Sequence, residues 1–206
     1  MPEFSHIGGI ILCGGKSARM GRSKAWLTFG PEVMLQRVVR LLSEVVSPIV
    51  VVAAQGQDVP ELPAGVEIAR DEHEGLGPLA GLAVGVAALA GRVEAAYASS
   101  CDVPLLRPAF VARVIAALED YDLAIPRDGE YHHPLAAVYR TRLVPTIREL
   151  IAARRLRPFF LLERARAREI DVAELRHVDP ALSSLRNINT PEEYAAALKE
   201  AGFPAP

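Results

Sequence analysis

Between Glu3 and Glu32 the chain carries no acidic side chain, yet Lys16, Arg19, Arg22 and Lys24 all fall in that interval. The segment Leu12-Cys13-Gly14-Gly15-Lys16-Ser17-Ala18-Arg19-Met20-Gly21-Arg22-Ser23-Lys24 follows directly on the apolar run from Ile7. Glycines allow main-chain N–H groups to come close to a ligand, and uncompensated cations ask for an anion. The economical occupant is a polyphosphate. Arg19 suits a bidentate phosphate contact and Lys24 a point charge, whereas Lys16 and Arg22 read as solvated. The spacing is not that of a Walker A loop, and no G-x-G-x-x-G dinucleotide fingerprint is present.

Asp102 follows Ala96-Tyr97-Ala98-Ser99-Ser100-Cys101 and precedes Val103-Pro104, which places it at the carboxyl tip of a strand. A carboxylate there can hold Mg²⁺, a cation usually bound through one or two carboxylates plus substrate phosphates. It could equally cap the loop or the helix beginning near Pro108. A third segment, from Arg70-Asp71 to Gly75-Leu76-Gly77-Pro78-Leu79-Ala80-Gly81, ends a strand in Asp71 and frees the backbone at two glycines. His132-His133-Pro134 reads as a solvent-exposed turn, or as a holder of an anionic acceptor. The arginines of Arg154-Arg155-Leu156-Arg157 and of residues 164–168 read as solvated helix faces. No Ser-His-Asp or Cys-His arrangement suggests itself, and no Cys/His cluster has zinc spacing.

These residues need a scaffold, and the chain alternates strand-like with helix-like segments. Short apolar runs at 7–13, 48–53, 66–70, 95–100, 122–126 and 135–139 predict strands. A 3.6-residue stripe from Val33 to Val45, opened by Pro31, predicts a helix, as do 79–89 and the segment from Pro108 to Leu118. Further helices are expected over 143–155, 158–166 and 190–201. Strands separated by helices imply βαβ crossovers and a mainly parallel sheet between helical layers. Ligands in such folds bind beyond the carboxyl ends of the strands, where the three chemically unusual segments fall.

At 206 residues the chain is expected to form a single domain spanning 1–206. A formal net charge of −2 argues against a nucleic-acid partner. No signal peptide is apparent at the N-terminus and no apolar run could span a bilayer, so the expected setting is cytoplasmic, with no membrane partner. Cys13 and Cys101, the two cysteines, fit a reduced cytosolic protein.

Together, a cationic loop, a metal-grade Asp and a third strand-tip loop suit nucleotidyl transfer, which asks mainly for in-line positioning and charge neutralisation. The segment from Leu12 to Lys24 fits the nucleotidyltransferase pattern L-x-G-G-x-S-x-R-M-G-x-x-K. With Gly75-Leu76-Gly77-Pro78-Leu79-Ala80-Gly81, Cys101-Asp102-Val103-Pro104, His133-Pro134 and Asn187-Ile188-Asn189-Thr190-Pro191-Glu192-Glu193, the chain resembles the molybdenum cofactor guanylyltransferases. The resemblance runs from Ile7 to Tyr194. It implies an α/β fold, a three-layer α/β/α sandwich with a mostly parallel, Rossmann-like central sheet of the nucleotide-diphospho-sugar transferase type. It further implies transfer of GMP from GTP to the phosphate of molybdenum–molybdopterin, with Mg²⁺ as cofactor. Leu12, Cys13, Gly14 and Gly15 would meet GTP through the loop, with Lys24 and Asp71. Asp102 would bind both GTP and Mg²⁺, and Arg19, Lys24 and Asp102 would serve the transfer step. Transient contacts with cofactor-synthesis proteins and client molybdoenzymes would follow from a fragile product. Cys13 stands where alanine is usual in that family, and Ala53 where some members carry an Asn credited with nucleotide contact. A relative using CTP or a sugar or alcohol phosphate, and a nucleotide-binding regulator without chemistry, are the alternatives.

Overall fold

The computed structural model describes residues 6–14, 23–72 and 75–204. Strand β1 (Ile7–Leu12) is buried along nearly its whole length, as an apolar strand covered on both faces must be. A short hairpin of β2 (Thr28–Phe29) and β3 (Glu32–Val33) leads into helix α1 (Met34–Ser43). The chain continues through β4 (Ile49–Ala54), β5 (Val66–Asp71), α2 (Pro78–Leu89), β6 (Ala95–Ser100) and α3 (Pro108–Ala116). It then forms β7 (Leu123–Asp128), β8 (Tyr131–His132), β9 (Ala136–Arg140), α4 (Val144–Ala152), β10 (Ala167–Asp171) and α5 (Pro191–Glu200).

The main sheet has eight strands, in the order β10-β7-β9-β6-β1-β4-β5 with β8 paired to β7. Its centre is parallel: Ile7 to Leu12 of β1 register with Ala95 to Ser100 of β6, and Gly9 to Leu12 with Ile49 to Val52 of β4. Strand β9 runs antiparallel to both β6 and β7. Alternate side chains fill two cores. Ile7, Ile11, Ala95 and Tyr97 join α1 and α3 on one face, while Ile10, Val50, Ala96 and Ala98 join α2 and α4 on the other. The three-layer, mainly parallel sandwich expected from the alternating pattern is therefore present. Gly85 sets the closeness of one layer, because a Cβ there would lie 2.5 Å from Cγ2 of Ile10.

Two expectations are corrected. Pro31 does not open α1; it occupies the turn of the β2–β3 hairpin beside Gly30, whose φ of +68° suits a tight turn and is unfavourable for other residues. The first turn of α1 is closed instead by Gln36, whose Oε1 accepts from the Val33 N–H at 3.2 Å. The arginines of 164–168 do not lie on a helix either. Ala167–Asp171 is an edge strand parallel to β7, with Ile170 buried between exposed neighbours. The segment before it is a 3₁₀ helix, Pro158–Glu163. Among the described residues no helix is long and apolar enough to cross a membrane.

Candidate active site

The carboxyl ends of β1, β4, β5 and β6 open onto a cleft of about 930 Å³. Leu12, Cys13 and Gly14 enter it from β1, Asp71 from β5, and Cys101 and Asp102 from β6. The N-terminal end of α2 forms another wall through Gly77, Pro78 and Gly81. Gly75 and Gly77 adopt φ values of +86° and +77°, so this turn uses the conformational freedom that only glycine supplies cheaply. The first turn of a helix presents unpaired N–H groups and a partial positive charge, which favour an anion in front of it.

Asp102 is held from several sides. Lys24 Nζ lies 2.7 Å from its Oδ2, and both side chains are mostly buried, 16% and 13% exposed. On the other oxygen, Oδ1 accepts from the Ser100 hydroxyl and, at 2.6 Å, from Asn187 Nδ2. The same Asn187 amide reaches Ser100 Oγ at 3.0 Å. Lys24 also donates to Asn189 Oδ1 at 2.7 Å, so two asparagines flank the ion pair. A carboxylate has about four acceptor positions. Among the described residues three are occupied, two on Oδ1 and one on Oδ2.

The asparagines arrive from the far end of the chain, and the packing explains how. Buried Asp179 accepts from the N–H groups of Ser183 and Ser184 at 3.1 and 2.8 Å, fixing the segment before them. Ile188 N–H donates to the Asp102 carbonyl at 2.9 Å. Helix α5 then starts at Thr190, whose hydroxyl accepts from Glu193 N–H at 3.2 Å. Leu27, Phe29, Met34, Ile188, Tyr194 and Leu198 form a third core that joins the segment after the short 3₁₀ helix Lys24–Trp26 to α5. Ser100, Asn187 and Asn189 were not singled out for a role in the sequence. Asn187 and Asn189 stand in a motif-rich run, but nothing local in it says that its side chains return to Asp102.

On the opposite wall, Gln57 braces the tip of β1. Its Nε2 donates to the Cys13 carbonyl at 3.0 Å and lies 3.6 Å from Cys13 Sγ, while its Oε1 accepts from Ala54 N–H at 3.0 Å. Arg70 donates to the carbonyls of Gln57 and Ala54 at 2.6 and 3.1 Å. Ala53 is fully buried in the wall, so an amide reaches this region from Gln57, four positions later. The Cys13 thiol meets that of Cys101. This contact and burial push the Cys101 thiol well above its usual range. The same contact, opposed by burial and helped by Gln57, holds the Cys13 thiol below its own.

Of the residues proposed from sequence, Leu12, Cys13, Gly14, Lys24, Asp71 and Asp102 all border this one cleft. Gly15, Lys16, Arg19 and Arg22 lie outside the described residues. The His132–Pro134 segment is not the solvent-exposed turn expected: His132 is 12% exposed and its Nε2 lies 2.7 Å from Glu169 Oε2. Burial lowers the His133 pKa, and its buried Nε2 has no hydrogen-bond partner among the described residues. Arg155 is not simply solvated, since its guanidinium lies 4.0 Å above the Phe160 ring.

Among the described residues there is no group of three or more His, Cys, Asp or Glu side chains that could hold a metal. Asp102 Oδ2 is a carboxylate oxygen of the kind a hard cation such as Mg²⁺ uses alongside a ligand's phosphates.

Comparison with known proteins agrees with this geometry. The chain is 37% identical over 204 residues to a probable molybdenum cofactor guanylyltransferase of Mycobacterium avium, covering 95% of this chain and 97% of that one. A protein of the same description from Pelotomaculum thermopropionicum is 33% identical over 193 residues, covering 92% and 90%. Molybdopterin-guanine dinucleotide biosynthesis protein A of Archaeoglobus fulgidus has a similar fold, with a TM-score of 0.77 at 23% identity over 95% of this chain and 99% of that one. So does the 2-C-methyl-D-erythritol 4-phosphate cytidylyltransferase of Thermus thermophilus, with a TM-score of 0.71 at 14% identity over 96% of this chain and 100% of that one. The model of the MobA-like NTP transferase domain matches residues 9–169, and the chain belongs to that family.

Proposed function

We propose that this protein transfers GMP from GTP to the terminal phosphate of molybdenum–molybdopterin, forming the guanine dinucleotide cofactor and releasing pyrophosphate. The observation that carries the reading is Asp102, held at the tip of β6 by Ser100, Asn187 and Lys24 on the floor of a cleft faced by glycine-rich turns. The relatives' names supply the nucleotide and the acceptor.

In this reading the nucleoside lies between the tip of β1 and the Gly75–Gly77 turn, with Asp71 on the far wall. The triphosphate runs toward Lys24. An oxygen of the acceptor phosphate forms a bond to the α-phosphorus, and the bond to the bridging oxygen of pyrophosphate breaks. Neither step demands a strong acid or base, so the protein's share is alignment and neutralisation of charge. Lys24 has three N–H donors, of which Asp102 and Asn189 take two among the described residues, and the third is proposed to serve a phosphate oxygen. Asp102 would hold Mg²⁺ through Oδ2, and the cation would draw negative charge from the reacting and leaving phosphates. Asn187 and Ser100 keep the carboxylate turned toward the cleft. Arg19 belongs to the same proposal as a second phosphate-binding cation.

Pyrophosphate release with GTP or CTP, Mg²⁺ and molybdenum–molybdopterin tests the assignment. GTP should be the better donor, and Asp102→Ala should lower turnover at least a thousandfold with the circular dichroism spectrum unchanged. Faster turnover with CTP would sink the guanine assignment. GTP binding without pyrophosphate release for any phosphorylated acceptor would make the protein a nucleotide-binding regulator.

A further inference from the structure

Cys13 and Cys101 are the two cysteines of the chain, and the fold places them, both buried, side by side in the lining of the cleft. Leu12 of β1 and Ser100 of β6 are register partners, and Cys101 N–H donates to the Leu12 carbonyl at 3.0 Å, so the pairing continues to the next position. Neighbouring parallel strands lie about 4.8 Å apart, inside the roughly 4.4–6.8 Å range of Cα separations that a disulfide spans. Both side chains project to the same face of the sheet, into the core shared by α1 and α3. The Gln57 amide stands 3.6 Å from Cys13 Sγ, a donor able to stabilise negative charge on that sulfur.

We propose that Cys13 and Cys101 are a modification site: a peroxide converts them to an intrachain disulfide that weakens nucleotide binding and transfer, and a thiol reductant reverses it. The Cys13 sulfur attacks one peroxide oxygen, the O–O bond breaks, and the other oxygen leaves as water, giving a sulfenic acid at Cys13. The Cys101 sulfur then displaces that hydroxyl, which departs as a second water with the Cys101 proton. The two thiols supply two electrons, and the peroxide is reduced to two waters.

The effect on the site follows from position. Two thiols in contact are separated by well over the roughly 2.05 Å of an S–S bond, so closing the bond draws the tips of β1 and β6 together. Cys13 carries the carbonyl that Gln57 braces, and Cys101 immediately precedes Asp102. Phosphoryl transfer is sensitive to displacements of about 1 Å, which can cost roughly a hundredfold in rate. The loss of transfer, but not the bond itself, rests on the GMP-transfer reading.

The test treats reduced protein with hydrogen peroxide and follows three quantities: the Cys13–Cys101 linked peptide by mass spectrometry, GTP affinity, and pyrophosphate release. The expected result is an intrachain link, at least tenfold weaker GTP binding and at least tenfold slower release, all restored by dithiothreitol. Cys101→Ala, with Cys101→Ser as a second variant, should each keep their own pre-treatment affinity and rate after peroxide. The proposal is overturned if both thiols stay open to alkylation, if the link forms between two chains, or if linked protein binds GTP as before. An equal loss in the Cys101 variants overturns it too. A reduced protein that releases no pyrophosphate would defeat the transfer reading alone, because the peptide map and GTP affinity still decide the disulfide.

Discussion

Replacing Asn187 by alanine isolates the part of the site that sequence motifs did not assign. The side chain gives Asp102 Oδ1 a hydrogen bond of 2.6 Å and also touches Ser100 Oγ at 3.0 Å. Asp102 is only 9% exposed, so water replaces the lost donor poorly. A hydrogen bond to a charged group contributes about 1.5–3 kcal/mol. Taking about 2 kcal/mol, and one decade in rate for each 1.36 kcal/mol, kcat/KM should fall roughly 30-fold. Ser100 and Lys24 still hold the carboxylate, which is why the loss stays well short of that expected for Asp102→Ala. In the proposed reaction Asp102 acts through the cation it would hold, whose attraction for the phosphates grows in the transition state, so the deficit should appear mainly in kcat, with KM for GTP little changed. Steady-state pyrophosphate release with GTP as the varied substrate separates the two parameters. A melting curve checks the fold, where a loss of about 1 kcal/mol would lower Tm by only about 2–4 °C. A correctly folded Asn187→Ala protein whose kcat stays within threefold of the parent would show that Asn187 does not orient Asp102 during turnover.

Three further outcomes follow from the same geometry. Lys24→Ala removes the charge proposed to face the phosphates and should raise KM for GTP and lower kcat/KM by roughly 10–100-fold; the same assay reads it, and unaltered kinetics would remove Lys24 from the proposed phosphate-binding role. Gly85→Ala must seat a Cβ 2.5 Å from Ile10, an overpacking cost of about 3 kcal/mol offset by about 1 kcal/mol of helix propensity, so Tm should fall roughly 4–8 °C by calorimetry. Glu32 is raised by burial, but hydrogen bonds and charge from Arg40 and Arg37 outweigh this and hold its pKa below 4.5. Its contribution is therefore complete above that ordinary value and is lost as pH falls through the depressed one. Denaturant titrations should show Glu32→Gln less stable than the parent at neutral pH, with the gap closing in acid; a gap independent of pH would contradict the ion pair.

The reach of the sequence differed between fold and site for a physical reason. β6 was placed to the residue, and the other long inner strands were placed to within one or two residues, because burial on both faces leaves a short apolar run that only a strand accommodates. Edge strand β10 was missed: it buries Ile170 but exposes Glu169 and Asp171, and its arginines imitate a solvated helix. Pro31 misled because its fixed φ suits a hairpin turn as well as a first helical turn. In the site, Asp71 and Asp102 were legible since they end or closely follow a strand, where the fold class already puts ligands, and Lys24 was legible as an uncompensated cation in the glycine-rich segment after β1. Asn187, Asn189 and Gln57 were not. Their roles depend on hydrogen bonds to residues 85, 165 and 44 positions away, and no local pattern encodes such closures.

The return of Asn187 and Asn189 to Asp102 has a consequence for how the protein is made. By Asp171 a ribosome has synthesised every strand among the described residues, and 69 residues have been added since Asp102 (171 − 102). Yet two of the groups that hold Lys24 and Asp102 are still untranslated. The sheet can form on the nascent chain, as domains commonly do during synthesis. The finished Asp102 network cannot. Its assembly waits for Asn189, so a chain stalled after β10 would be a folded sheet with an unfinished centre.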